Sequence, residues 1–149
     1  MSDTLQTIAS IVTVLAPVVG VDAPDAVEIP GSRNVRANWP TGELRVDCDW
    51  LDGMQLTCDE LHALVAHELS HFKDRQHYFR FTIEANHLSE FRADAMAATL
   101  GYAEALISLL QKIASVPPDR ESWSHPVVVG AKLYLREQSQ LFVYNVAAK

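Results

Sequence analysis

Between Thr57 and Phe72 the chain reads TCDELHALVAHELSHF, and this stretch leaves little choice of backbone. Thr57 followed three residues later by Glu60 is a capping box, in which each side chain can satisfy the other residue's backbone N–H at a helix start. Leu61, Leu64, Val65, Leu69 and Phe72 then recur on one face, which predicts a helix with an apolar stripe. His67 and His71 stand one turn apart, so their Cβ atoms lie about 5–6 Å from each other on the same side. Glu68 is rotated about a quarter turn from His67.

That spacing has a chemical consequence. Two imidazoles at i and i+4 can both turn a ring nitrogen to one metal ion at roughly 2.0–2.1 Å. Glu68 is poorly placed as a ligand, but well placed to touch a water on the open side of such an ion. Zinc lowers the pKa of a bound water to about 7, and a neighbouring carboxylate can take its proton as it attacks a carbonyl. The same carboxyl can then pass that proton to a leaving amine. Alone, HExxH is also compatible with a surface helix that carries two histidines, so a third ligand and an orienting shell must decide.

Both are available downstream. Glu90 lies 19 residues after His71, near the start of another strong helical pattern, and Asp94 follows one turn later on the same face. Glu90 can supply the third protein ligand while one position stays open for water. Asp94 can accept the second ring N–H of His67, fixing its tautomer and orientation. Ala93 and Ala97 are small enough for the two helices to approach closely. Glu84 is a rival third ligand, with only twelve residues between it and His71 for the chain to turn back. His62, His77 and His87 read as surface histidines. The donor set favours a single Zn2+ over other divalent ions.

The rest of the chain is organised around this core. Leu5, Ile8, Val12, Leu15 and Val19 predict an N-terminal helix packed on the domain. "APDAVEIPGS" reads as loop, short strand and a turn at Pro30-Gly31. "NVRANW" and "ELRVDCDWL", separated by "PTG", alternate apolar and polar residues through Val35, Ala37, Trp39 and Leu44, Val46, Cys48, the pattern of a hairpin. A helix starting near Asn86 or Ser89 should run to Gly101, and another, "YAEALISLLQKIA", should stop before Pro117-Pro118. With 149 residues and no repeat or linker, one α+β domain over 1–149 is expected, mainly helical with a small N-terminal hairpin or sheet.

Net charge and cysteine content narrow the setting. A formal charge of −7 and the lack of any basic cluster argue against nucleic acid. Cys48 and Cys58, ten apart, match neither a zinc ribbon nor a disulfide framework and read as reduced thiols. The apolar run from Ile8 to Val21 is shorter than the roughly 20 residues a bilayer needs, and Asp3 is the wrong sign for a signal peptide. The expectation is a soluble, cytoplasmic protein with no membrane span.

"DELHALVAHELSHFKDR" followed by "EFRADAMAATLG" resembles the HtpX and CAAX-prenyl-protease family of zinc metallopeptidases, within the gluzincin group. The resemblance, HExxH…ExxxD, implies His67, His71 and Glu90 as zinc ligands, Glu68 as the catalytic glutamate and Asp94 as the orienting aspartate. "NVRANWPTGELRVDCDWLDGM" resembles the family's hairpin, where the cleft's upper edge strand takes up extended substrate; Asn34, Arg36, Ala37 and Asn38 fall there. "SWSHPVVVGAKLYLR" resembles the family's Thr-His-Pro segment, implying that His125 stabilises the oxyanion. Relatives carry an arginine six residues further on; this chain has Ala131, then Lys132, and Tyr134 is an alternative donor.

The expectation is therefore a small, gluzincin-like zinc metalloendopeptidase acting on polypeptides. A regulatory module that keeps the fold but binds a partner is the principal alternative, and a hydrolase of non-peptide amides is a third. The strand-like C-terminus, "SQLFVYNVAAK", is apolar enough to block such a cleft.

Overall fold

The computed structural model describes residues 2–74 and 83–115, with backbone alone for 83–87 and 114. His125, Tyr134 and the apolar C-terminal segment lie outside the described residues, as does the side chain of Glu84. The described chain is α+β. Helix α1 (Asp3–Val19) is followed by β1 (Asp25–Glu28), β2 (Val35–Asn38) and β3 (Glu43–Val46). Then come α2 (Cys48–Met54), α3 (Cys58–Lys73), α4 (Ile83–Ala97) and α5 (Ala103–Ser115), the last two joined by a π-helical turn, Ala98–Tyr102.

The anticipated hairpin forms, β2 running antiparallel to β3 with Val35 opposite Val46 and Ala37 opposite Leu44. Strand β1 adds parallel to the other side of β3, giving the order β1-β3-β2 and leaving β2 on an edge of the sheet among the described residues. The second strand is shorter than its alternation predicts. Asp47 is buried and ends it, its Oδ1 accepting from the backbone N–H of Trp50 and its Oδ2 from that of Arg33. The first of these bonds is an N-cap, so Cys48 opens α2 instead of continuing β3.

Helix α3 is the central element. Its capping box forms in both directions, Thr57 Oγ1 accepting from Glu60 N and Glu60 Oε2 from Thr57 N. It packs against α1, α4, α5 and β2, and so buries most of its circumference: Ala63, Leu64, Val65, Ala66, Leu69 and Phe72 join one core with Ile8, Val12, Leu44, Val46 and Leu109. Helix α1 presents Leu5, Ile8, Val12, Leu15 and Val19 to that core, with Ile11 and Ala16 beside them. Its last carbonyl, Val19 O, accepts from Lys73 Nζ at the far end of α3.

Helix α4 begins at Ile83, earlier than either Asn86 or Ser89, so Ser89 lies inside the helix rather than at its cap. At the other end Gly101, with φ of +95°, breaks the helical path and turns the chain into α5; only glycine occupies that region freely. Leu88–Ile113 is 26 residues long with mean hydropathy 1.2, enough by length and composition alone to cross a bilayer. Its Ala93, Ala97, Leu106 and Leu109 are buried, and its helices pack on α3.

Candidate metal centre

The buried face of α3 carries His67 and Glu68, and α4 lies directly across it. Ala93 and Ala97, both fully buried, allow that close approach. One result is a cluster of donors from two helices. His67 Nε2 and His71 Nε2 are 3.3 Å apart; Glu90 Oε2 is 3.2 Å from the first, and Glu90 Oε1 is 3.5 Å from the second. Ligands about 2.0–2.1 Å from a tetrahedral ion are separated by about 3.3–3.4 Å. The three side chains therefore span a triangle of the size one face of such a coordination sphere requires, and this group can hold a metal ion.

Each ring is oriented from behind. His67 Nδ1 is 2.9 Å from Asp94 Oδ1, and both residues are buried. His71 Nδ1 is 3.1 Å from Ser89 Oγ, itself only 2 % exposed. With both Nδ1 atoms engaged, both Nε2 atoms are left to face Glu90. Helix α4 thus delivers three functions within six residues: a hydroxyl for His71, a carboxylate between the rings, and a carboxylate for His67. Sequence reasoning placed Asp94 in this role and missed Ser89, which it took as a possible helix cap. The signal was there in its position, one residue before Glu90.

Electrostatics at the centre favour positive charge. Burial opposes charge on His67, but the hydrogen bonds to Asp94 and Glu90 outweigh it and hold the imidazole's pKa well above its ordinary value. A proton and a metal ion compete for the same Nε2. Glu68 is buried as well. Burial is the largest influence and raises its carboxyl; the charge of His67 and the N–H of Ala37 pull it down, the charge of Glu90 pushes it up, and the balance stands at about 7. A general base is most effective with a pKa near the working pH, and a cation at the centre would lower this one.

The hairpin residues divide. Asn34 is exposed and its carbonyl accepts from Asp47 N; Arg36 is exposed at the strand surface. Asn38 is drawn into the turn, bonded through its side chain to Thr41 and, with its amide in the favoured orientation, to Arg45. Ala37 alone of the four meets the catalytic candidate: its backbone N–H donates to Glu68 Oε2 at 2.8 Å. The thiols of Cys48 and Cys58 are free, the first buried and the second exposed. Cys58 is near His62, whose Nδ1 is 2.8 Å from the Cys58 carbonyl oxygen, away from the centre.

No protein-family model, curated protein or solved structure matches this chain.

Proposed function

We propose that the chain is a zinc-dependent metallopeptidase of gluzincin type, holding one Zn2+ through His67, His71 and Glu90 and hydrolysing peptide bonds. The observation that carries this reading is the convergence of two imidazoles and a carboxylate at 3.2–3.5 Å, with a buried glutamate beside them. A zinc ion in such a site supplies a Lewis acid and a water acidified to about pKa 7. The rest of the chemistry belongs to side chains of this chain. Glu68 accepts a proton as the scissile carbonyl is attacked, then hands it to the departing amine. Asp94 and Ser89 keep His67 and His71 from turning. Among the described residues β2 is an edge strand beside Glu68, and such an edge is a natural place for an extended peptide to add.

The resemblance to HtpX and CAAX-prenyl proteases supports peptides over other amides as substrates. The test uses the purified full chain, a fluorogenic peptide mixture and a chelator. Cleavage should stop with chelator and return with zinc. Glu68→Gln should keep stoichiometric zinc and lose turnover by at least about a hundredfold, whereas Glu90→Ala should lose the metal. Turnover in Glu68→Gln equal to wild type would end the mechanism. A zinc-loaded wild type that cleaves nothing would favour the partner-binding module.

A further inference from the structure

From the contact between Glu68 and β2 we infer that the backbone N–H of Ala37 is a clamp that fixes the general base. The inference rests on the peptidase reading for its catalytic meaning and on geometry for its existence. In an antiparallel ladder, successive N–H groups along a strand point alternately towards the partner and away from it. The Ala37 N–H goes to Glu68 Oε2, so it is turned away from β3, on the side of β2 where no further strand pairs among the described residues. An edge-strand donor of this kind ordinarily faces water or an incoming strand. Here a buried carboxylate takes it instead.

Two consequences follow for the site. A glutamate side chain has several rotatable bonds, and this one is held at Oε2 by the Ala37 N–H. Anchoring Oε2 to the rigid hairpin removes that freedom and leaves Oε1 to meet the reacting group, so the base is placed before substrate arrives. The same bond withdraws the Ala37 N–H from the strand edge. A peptide lying along β2 then meets at Ala37 an acceptor, the carbonyl, and not a donor. Ala37 is thus a positioning residue that acts through its main chain, which is why its side chain gives no hint of the role.

Amide exchange on the full-length protein tests the clamp directly. The Ala37 amide should be protected in the wild type and in Glu68→Gln, which keeps an acceptor oxygen. In Glu68→Ala it should exchange about tenfold to a hundredfold faster, with the Arg45 and Leu69 amides unchanged. Equal Ala37 exchange in Glu68→Ala and wild type overturns the clamp. For function, Ala37→Pro removes the donor at an edge position where proline is tolerated; a semisynthetic chain with an ester at the Arg36–Ala37 linkage does so with less disturbance should the proline variant fail to fold. Either should keep its zinc and lose kcat by about a hundredfold. Unchanged kcat in a folded, zinc-loaded variant also overturns it. If the wild type itself cleaves no peptide, the peptidase reading fails, and the exchange measurement still decides the clamp.

Discussion

Ser89 and Asp94 contact the outer nitrogens of His71 and His67, but they are not equal partners. A carboxylate makes its imidazole a stronger donor to a metal than a hydroxyl does, and loss of such a partner costs roughly 10- to 100-fold in affinity. Asp94→Ala should therefore weaken zinc binding by about 100-fold and Ser89→Ala by about tenfold, with Ser89→Thr retaining wild-type affinity. Competition against a chromophoric chelator measures all three. The raised pKa of His67 adds a sign. Its Nε2 must give up a proton to a metal, so binding at neutral pH should release protons, and affinity should fall as the pH is lowered. Titration calorimetry in two buffers of different ionisation enthalpy reads that release; identical heats in both would contradict it. At this scale the sequence was informative wherever spacing does the selecting. The i, i+4 relations of His67 with His71 and Glu90 with Asp94 put each pair on one helix face. Ser89 escaped because a serine near a helix start has the same local signature as a cap, and only its burial and its contact with His71 show that it faces inward.

Among the elements, α3 and α5 are joined by a polar contact that also completes the α3 cap. Glu60, 2 % exposed, accepts from Thr57 N and Lys112 Nζ through Oε2 and from Ser108 Oγ through Oε1. Burial alone would raise its pKa; the hydrogen bonds from Lys112, Ser108 and Thr57 more than offset that and hold it at about 2. A carboxyl depressed on folding stabilises the native state fully above its unfolded value and loses that contribution as the pH falls through the folded one. The sensitive window runs from the ordinary value of 4.5 down to about 2. Urea unfolding at pH 6 and pH 3 should differ by on the order of 2 kcal/mol from this residue, and Glu60→Gln should remove that part of the difference. An unaltered pH difference in the variant would contradict the assignment. The capping box was legible because both partners lie within four residues. Lys112 and Ser108 were not, since nothing local specifies a partner about fifty residues away. The β3–α2 boundary misled for a related reason: the alternation through Cys48 is a strand pattern, but capping by buried Asp47 wins.

For the molecule as a whole, α3 is the shared wall of core and site. Leu69, fully buried, follows Glu68 in α3 and belongs to the core that α1 and the sheet share. Leu69→Ala should cost about 2–5 kcal/mol, read by chemical denaturation, and should leave a zinc-loaded site in the molecules that stay folded. The α+β class and the helical majority could be read from periodicity. The parallel pairing of β1 with β3 could not, because it joins segments distant in sequence through backbone bonds that carry no residue signature.

The most direct measurement is the zinc content of the purified, dialysed full chain compared with Glu90→Ala. Two imidazoles and one carboxylate closing on a single ion predict one zinc per wild-type chain and little in the variant, with Glu68→Gln loaded like the wild type. Wild-type protein that holds no divalent metal, or Glu90→Ala that holds it as tightly, would contradict the account.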